Sequence, residues 1–383
     1  MEPPAQPGRM PYLDGLRGLA IVAMVVNHTG RWWIDRSFGW PRYHLIYITT
    51  TVAAPIFLFL VGFCQAIAHY NATILKGQSF ARVAPRYLRR GVEVILAGYL
   101  LNLLVFCDVW RGVEAILTGS SNLLNHCVDP PWQLGVLQTI GFSIVALAPA
   151  LAVLRYRWGR ALIVTLSVAL YVLFSVLALP LSHWLATHPL VAQIVFADFP
   201  PWPWTTLVLI SAVLGWNFCV ANQRGANART RYFGIMAGVG VLCLLAFLAY
   251  DTWHHTPVRF GFMRDFIINR HWTPRGISLL WIGAVLLLST PAAYYLMDVR
   301  GFTPRWLVNL GQTAMMLYFV HQVIVFTIVK RWLGVTFDSW LHYSIANAVL
   351  MVVLLYLGRA WIMVRPRLRR RPSSGPELAR STA

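Results

Sequence analysis

The chain has 383 residues, of which 58% are apolar and only 12% charged, roughly half the charged share of a soluble domain. A formal net charge of +19 would point to nucleic acid in a soluble protein. Here the basic residues stand in short loops between apolar runs, which is the positive-inside pattern of a membrane protein, so a nucleic-acid partner is set aside.

Most of the length lies in runs of about 17–25 apolar residues, enough for a helix to cross ~30 Å of hydrocarbon. The expected fold is all-α: a polytopic transmembrane helical bundle of about ten spans, since helices satisfy their own backbone in lipid. In chain order the spans fall near 14–33, 45–69, 90–107, 133–153, 159–180, 203–220, 232–250, 276–297, 305–329 and 342–364. They form one domain, 1–365, followed by a disordered basic tail, 366–383.

Loop charge orients the bundle. Lys76, Arg82, Arg86, Arg89 and Arg90 follow the second span; Arg155, Arg157 and Arg160 the fourth; Arg224, Arg229 and Arg231 the sixth; Arg300 and Arg305 the eighth. Together with the arginines from Arg365 onward, these share one face, which places both termini in the cytoplasm. The opposite loops, about 108–132, 181–202 and 251–275, are longer and rich in Trp, Pro and His. The last of these carries basic residues against the orientation rule. The five cysteines, Cys64, Cys107, Cys127, Cys219 and Cys243, have neither zinc nor CxxC spacing. No metal is expected, and the cysteines read as unpaired apolar fillers. Cys107 and Cys127 could both lie near the outer face, where a disulfide is feasible.

Ionisable groups within spans are costly and therefore point to function. Arg17 and His28, eleven residues apart, stand near one face of the first span, about three turns or ~16 Å from each other. Arg17 reads as a functional cation or as a snorkelling arginine paired with Asp14, three residues away. His28 reads as a general base, with its near-neutral pKa, or as a buried histidine that ties helices together. Gln138, in Gly135-Val136-Leu137-Gln138, reads by default as interhelical glue. Tyr318 and His321 are three apart and share a helical face. Pro55 and Gly62 in the second span suggest a kink and a close helix contact.

Leu13-Asp14-Gly15-Leu16-Arg17-Gly18-Leu19-Ala20 followed by His28 resembles the opening of the acyltransferase-3 membrane proteins, whose signature is an arginine, ten residues and a histidine. Leu310-Gly311-Gln312-Thr313 through Tyr318 and His321 is similar to that family's late segment. Ala54-Pro55-Ile56-Phe57 through Gly62, Gly135 to Gln138, and Asn269-Arg270-His271-Trp272 look more like a sister branch, the heparan-α-glucosaminide N-acetyltransferases and their bacterial relatives. The resemblance implies an acyl-CoA-dependent membrane acyltransferase, and a bacterial inner membrane is the expected location. Acetyl-CoA would be the cytoplasmic donor, and the acceptor a hydroxyl or amine of an extracytoplasmic glycan or small molecule. His28 and Arg17 would be catalytic. Arg17, Arg86, Arg89 and Arg90 would meet the donor, with Asp14, Gln138, Tyr318, His321 and His271 supporting. Membrane lipid is the expected surrounding, and a homo-oligomer remains open. The competing expectation is a transporter or flippase for a sugar-like or lipid-linked substrate.

Overall fold

The computed structural model describes residues 10–108, 113–114, 116–119, 127, 131–192, 199–253 and 278–369. Among these the architecture is helical throughout: α1 (Pro11–Trp32), α2 (Gly39–Tyr70), α3 (Phe80–Phe106), α4 (Val136–Leu151), α5 (Arg157–Ala186), α6 (Pro201–Gln223), α7 (Ala226–Trp253), α8 (Ser278–Tyr294), α9 (Arg305–Gln312), α10 (Ala314–Gln322) and α11 (Trp340–Arg369). Every expected span has helix in its place, and seven described segments are long and apolar enough to cross a membrane. The chain is an all-α polytopic membrane protein. The ninth expected span is not one continuous helix: α9 ends at Gln312, α10 begins at Ala314, and π-helical turns continue from Val323 to Trp332.

The helices that carry the site pack around α1 and α2. α1 lies against α2, α8 and α9, α2 against α6, and α3 against α4. Glycine sets the closest approaches. A Cβ on Gly18 would overlap the Leu307 carbonyl oxygen of α9, and one on Gly311 would overlap that of Asp14, so α1 and α9 cross backbone to backbone. Gly62 and Gly215 do the same for α2 and α6, which is the close contact expected at Gly62. Gly91 and Gly141 bring α3 onto α4.

Polar residues beside the crossings fix helix rotation. Asn27 of α1 donates to the Ile46 carbonyl (2.7 Å) and to the Thr50 hydroxyl (2.6 Å) of α2. Thr29, two residues on, donates to Asn347 Oδ1 of α11 (2.7 Å). The buried Arg42 closes the C-terminal end of α1, donating to the carbonyls of Gly30 (3.2 Å) and Arg31 (2.6 Å). A cation there satisfies orphan carbonyls and meets the negative end of the helix dipole.

The cysteine expectation is corrected in one place. Cys107 and Cys127 form a disulfide, whereas Cys64, Cys219 and Cys243 are free thiols. The two bonded residues are 20 apart with no motif between them, so only the return of the chain to the end of α3 reveals the pair.

Candidate active site

His28 projects from the C-terminal half of α1 between Asn27 and Thr29. Because those two neighbours lock α1 to α2 and α11, the His28 ring is held toward α10. There its Nδ1 lies 2.9 Å from Nε2 of His321, with the two rings parallel to within 6°. His321 is fully buried, and its Nδ1 is 2.8 Å from the Leu317 carbonyl oxygen one turn back. A carbonyl only accepts, so His321 Nδ1 carries a proton and donates it. In a neutral pair His321 Nε2 is then an acceptor, and His28 Nδ1 must donate to it. The chain of donors ends at His28 Nε2, which is left unprotonated and, among the described residues, with its lone pair uncommitted. Tyr318 packs edge-on against His321 at 5.8 Å between centroids, and Phe326 does so against His28 at 5.4 Å.

His28 lines two cavities. The larger, about 120 Å³, is lined by the aromatic rings of Trp32, Phe106 and Phe326 and by the polar side chains of Asn102, Gln133, Gln138 and Tyr318. The smaller, about 20 Å³, lies toward the middle of α1 and α2, among Met24, Asn27, Thr50, Ala53, Ala54 and Phe57. Val136 and Tyr318 line both cavities. The disulfide, Arg31 and the start of α4 all belong to the end of the bundle where the larger cavity lies.

Gln138 stands where α4 begins. Its Oε1 accepts the Gly135 N–H (3.1 Å), closing the first turn of its own helix in the manner of a capping box. The expected reach to another helix is instead a packing contact, the amide lying against Gly98 of α3. Because Gly135 N–H must meet oxygen, the amide orientation is set, and Nε2 is left buried without a hydrogen-bond partner among the described residues. An unsatisfied buried donor costs about 1–3 kcal/mol, which a ligand acceptor would relieve. Asn102 Nδ2 donates to the carbonyls of Pro131 (3.1 Å) and Gln133 (2.7 Å), holding the approach to α4 against α3.

Thus His28, His321, Tyr318 and Gln138 meet at one site. The remaining expected residues do not join them. Arg17 sits three turns away on α1, its Nη1 on Asp14 Oδ1 (2.9 Å) and its Nη2 on Cys64 Sγ (3.0 Å) of α2. Asp14 is buried, and Arg17 is partly exposed. Arg86, Arg89 and Arg90 are exposed on the first turns of α3; Arg89 and Arg90 both approach Glu93 at 3.4 Å. His271 lies outside the described residues. Sequence reasoning passed over Asn27, Thr29, Asn102 and Arg42, whose partners are 11 to 318 residues distant and leave no local pattern.

The family model described as an acyltransferase domain matches residues 10–359, nearly the whole chain. The comparison of the chain with curated proteins found no match.

Proposed function

The chain belongs to the acyltransferase-3 family, and from that premise we propose that it moves an acyl group, acetyl by preference, from cytoplasmic acyl-CoA to a hydroxyl or amine of an extracytoplasmic glycan or similar acceptor. The observation that carries this reading is the contact geometry of the His28–His321 pair, which leaves Nε2 as the basic nitrogen of a residue that lines the cavity. Nε2 takes the acceptor's proton as the acceptor oxygen or nitrogen attacks the thioester carbonyl carbon. The carbonyl π electrons move onto oxygen, and the Gln138 Nε2–H is the donor available to hold that charge. Collapse re-forms the C=O bond and breaks C–S. The leaving thiolate takes the proton from His28, which returns the pair to its starting state. His321 acts through His28, holding its tautomer and sharing the positive charge that develops there.

The remaining roles follow the same reading. The Arg17–Asp14 pair sets the inner end of α1, where Arg17 positions the donor. Arg86, Arg89 and Arg90 are exposed guanidinium groups suited to the phosphates of CoA. The aromatic wall of Trp32, Phe106 and Phe326 suits the apolar face of a sugar ring. A disulfide at that end of the bundle fits an oxidising, extracytoplasmic face and, with the basic loops at the opposite end, a bacterial inner membrane with both termini inside. The test is transfer of label from acetyl-CoA by purified protein and by His28→Ala. Turnover that disappears in the variant while CoA binding persists supports the assignment, and a fully active variant ends it. Net substrate flux in liposomes without CoA would favour a transporter instead.

A further inference from the structure

The geometry points to the smaller cavity beside His28 as the acyl-chain pocket, sized to admit acetyl and to exclude longer acyl groups. This rests on the acyltransferase reading and adds its donor selectivity. A cavity of about 20 Å³ holds one water-sized group, since a single water needs roughly 10–15 Å³ on the same measure. Its wall is mostly apolar: Met24 from α1, Ala53, Ala54 and Phe57 from α2, and Val136 from α4. Apart from the His28 ring, the polar residues at its edge are already committed. Asn27 Nδ2 donates to the Ile46 carbonyl and to the Thr50 and Thr49 hydroxyls, and the Tyr318 hydroxyl interacts with the Gln322 side chain. A water there would find few of the partners it requires, so the space suits a methyl group.

Position supports the same occupant. A thioester carbonyl carbon placed at His28 has the oxygen, the sulfur and the acyl carbon to distribute. The larger cavity is lined by Gln138, whose amide donor is buried without a partner among the described residues, and is the larger space for the acceptor. The smaller one fits only the methyl, and each added methylene would have to displace Met24 or Phe57. An apolar pocket distinguishes one methylene by about 10–200-fold.

Thiol release from acetyl-, propionyl-, butyryl- and octanoyl-CoA in proteoliposomes, with glucosamine supplied as the hydroxyl- and amine-bearing acceptor, tests the inference, using wild type, Met24→Ala, Phe57→Leu and Ala54→Val. For wild type, kcat/KM is expected to drop by about tenfold or more with each added methylene. Met24→Ala or Phe57→Leu should raise the butyryl-CoA rate above that of wild type and compress the acetyl-to-butyryl ratio about tenfold. A rise in absolute rate cannot come from a poorly folded variant. Ala54→Val, which fills the space, should lower acetyl transfer and leave longer donors at their already low rate. The same chain-length profile in wild type and both enlarged variants would overturn the proposal. So would an equal loss for every donor, which would mark the cavity as the passage of the thiol arm. Wild type that releases thiol from none of the donors would overturn the acyltransferase reading itself, and this proposal with it.

Discussion

Arg17 and His28 share one helix about 16 Å apart along its axis, yet the bundle surrounds them in different ways. Around Arg17 there is little spare space: Gly15 meets Met297, Gly18 meets the Leu307 carbonyl, and the Asp14 carbonyl meets Gly311. The guanidinium itself is spoken for by Asp14 and Cys64. Around His28 there are two cavities and, among the described residues, a buried amide donor without a partner. One end of α1 is a joint, where satisfied polar groups and glycine contacts hold helices in register. The other is a place where polar groups wait for something to bind. The motif thus joins two residues in different surroundings, a packed joint at Arg17 and open space at His28.

Substitutions should separate the two ends. The largest effect is expected at His28: His28→Ala should cost about 10²–10⁴-fold in kcat with the fold intact, measured as label transfer alongside CoA binding. Gln138→Glu is the next. Its remaining oxygen can still accept the Gly135 N–H, so the cap persists, but the donor is gone and a charge stands in its place. Loss of about 10²–10³-fold in kcat with unchanged thermal stability would fit a role at the carbonyl oxygen, and wild-type turnover would show that the amide only caps α4. His321→Leu removes the partner that fixes the His28 tautomer. A fall of roughly 10²-fold in kcat with little change in KM is expected, smaller than at His28 because the base itself remains.

At the joint the readout shifts from rate to stability. Gly18→Ala and Gly311→Ala each push a methyl into the facing backbone and should destabilise by about 1–3 kcal/mol or more, seen as a lower melting temperature in detergent. If either variant melts like wild type while losing activity, the distinction between the two ends fails. The smallest effect belongs to Arg89 and Arg90, which are exposed and share Glu93. Their replacement by Ala should leave stability within about 1 kcal/mol and raise the KM for acyl-CoA by only a few-fold at low salt, an effect that ionic strength erases.

Much of this was legible in the sequence, because it is carried by local period. Apolar runs gave the helices, the eleven-residue step from Arg17 to His28 placed both near one face, and the three-residue step from Tyr318 to His321 did the same. What was not legible depends on contacts across the bundle. The break at Thr313 is hidden because hydropathy continues through it into α10. The disulfide joins two cysteines with no motif between them. The role of Gln138 depends on which of its amide atoms Gly135 claims, and the order of protons in the histidine pair depends on the Leu317 carbonyl. Neither the Asn27–Thr50 nor the Thr29–Asn347 bond, which aim His28, has any signature in its own neighbourhood.

The central claim is that His28 is the base and that the space around it is the reaction chamber. The most direct measurement is transfer of labelled acetyl from acetyl-CoA by the purified protein in liposomes, compared with His28→Ala under conditions where both bind CoA equally. Turnover in wild type that falls by about a hundredfold or more in the variant is the predicted result. Equal turnover in the two would contradict the account at its centre and leave His28 as a helix tie.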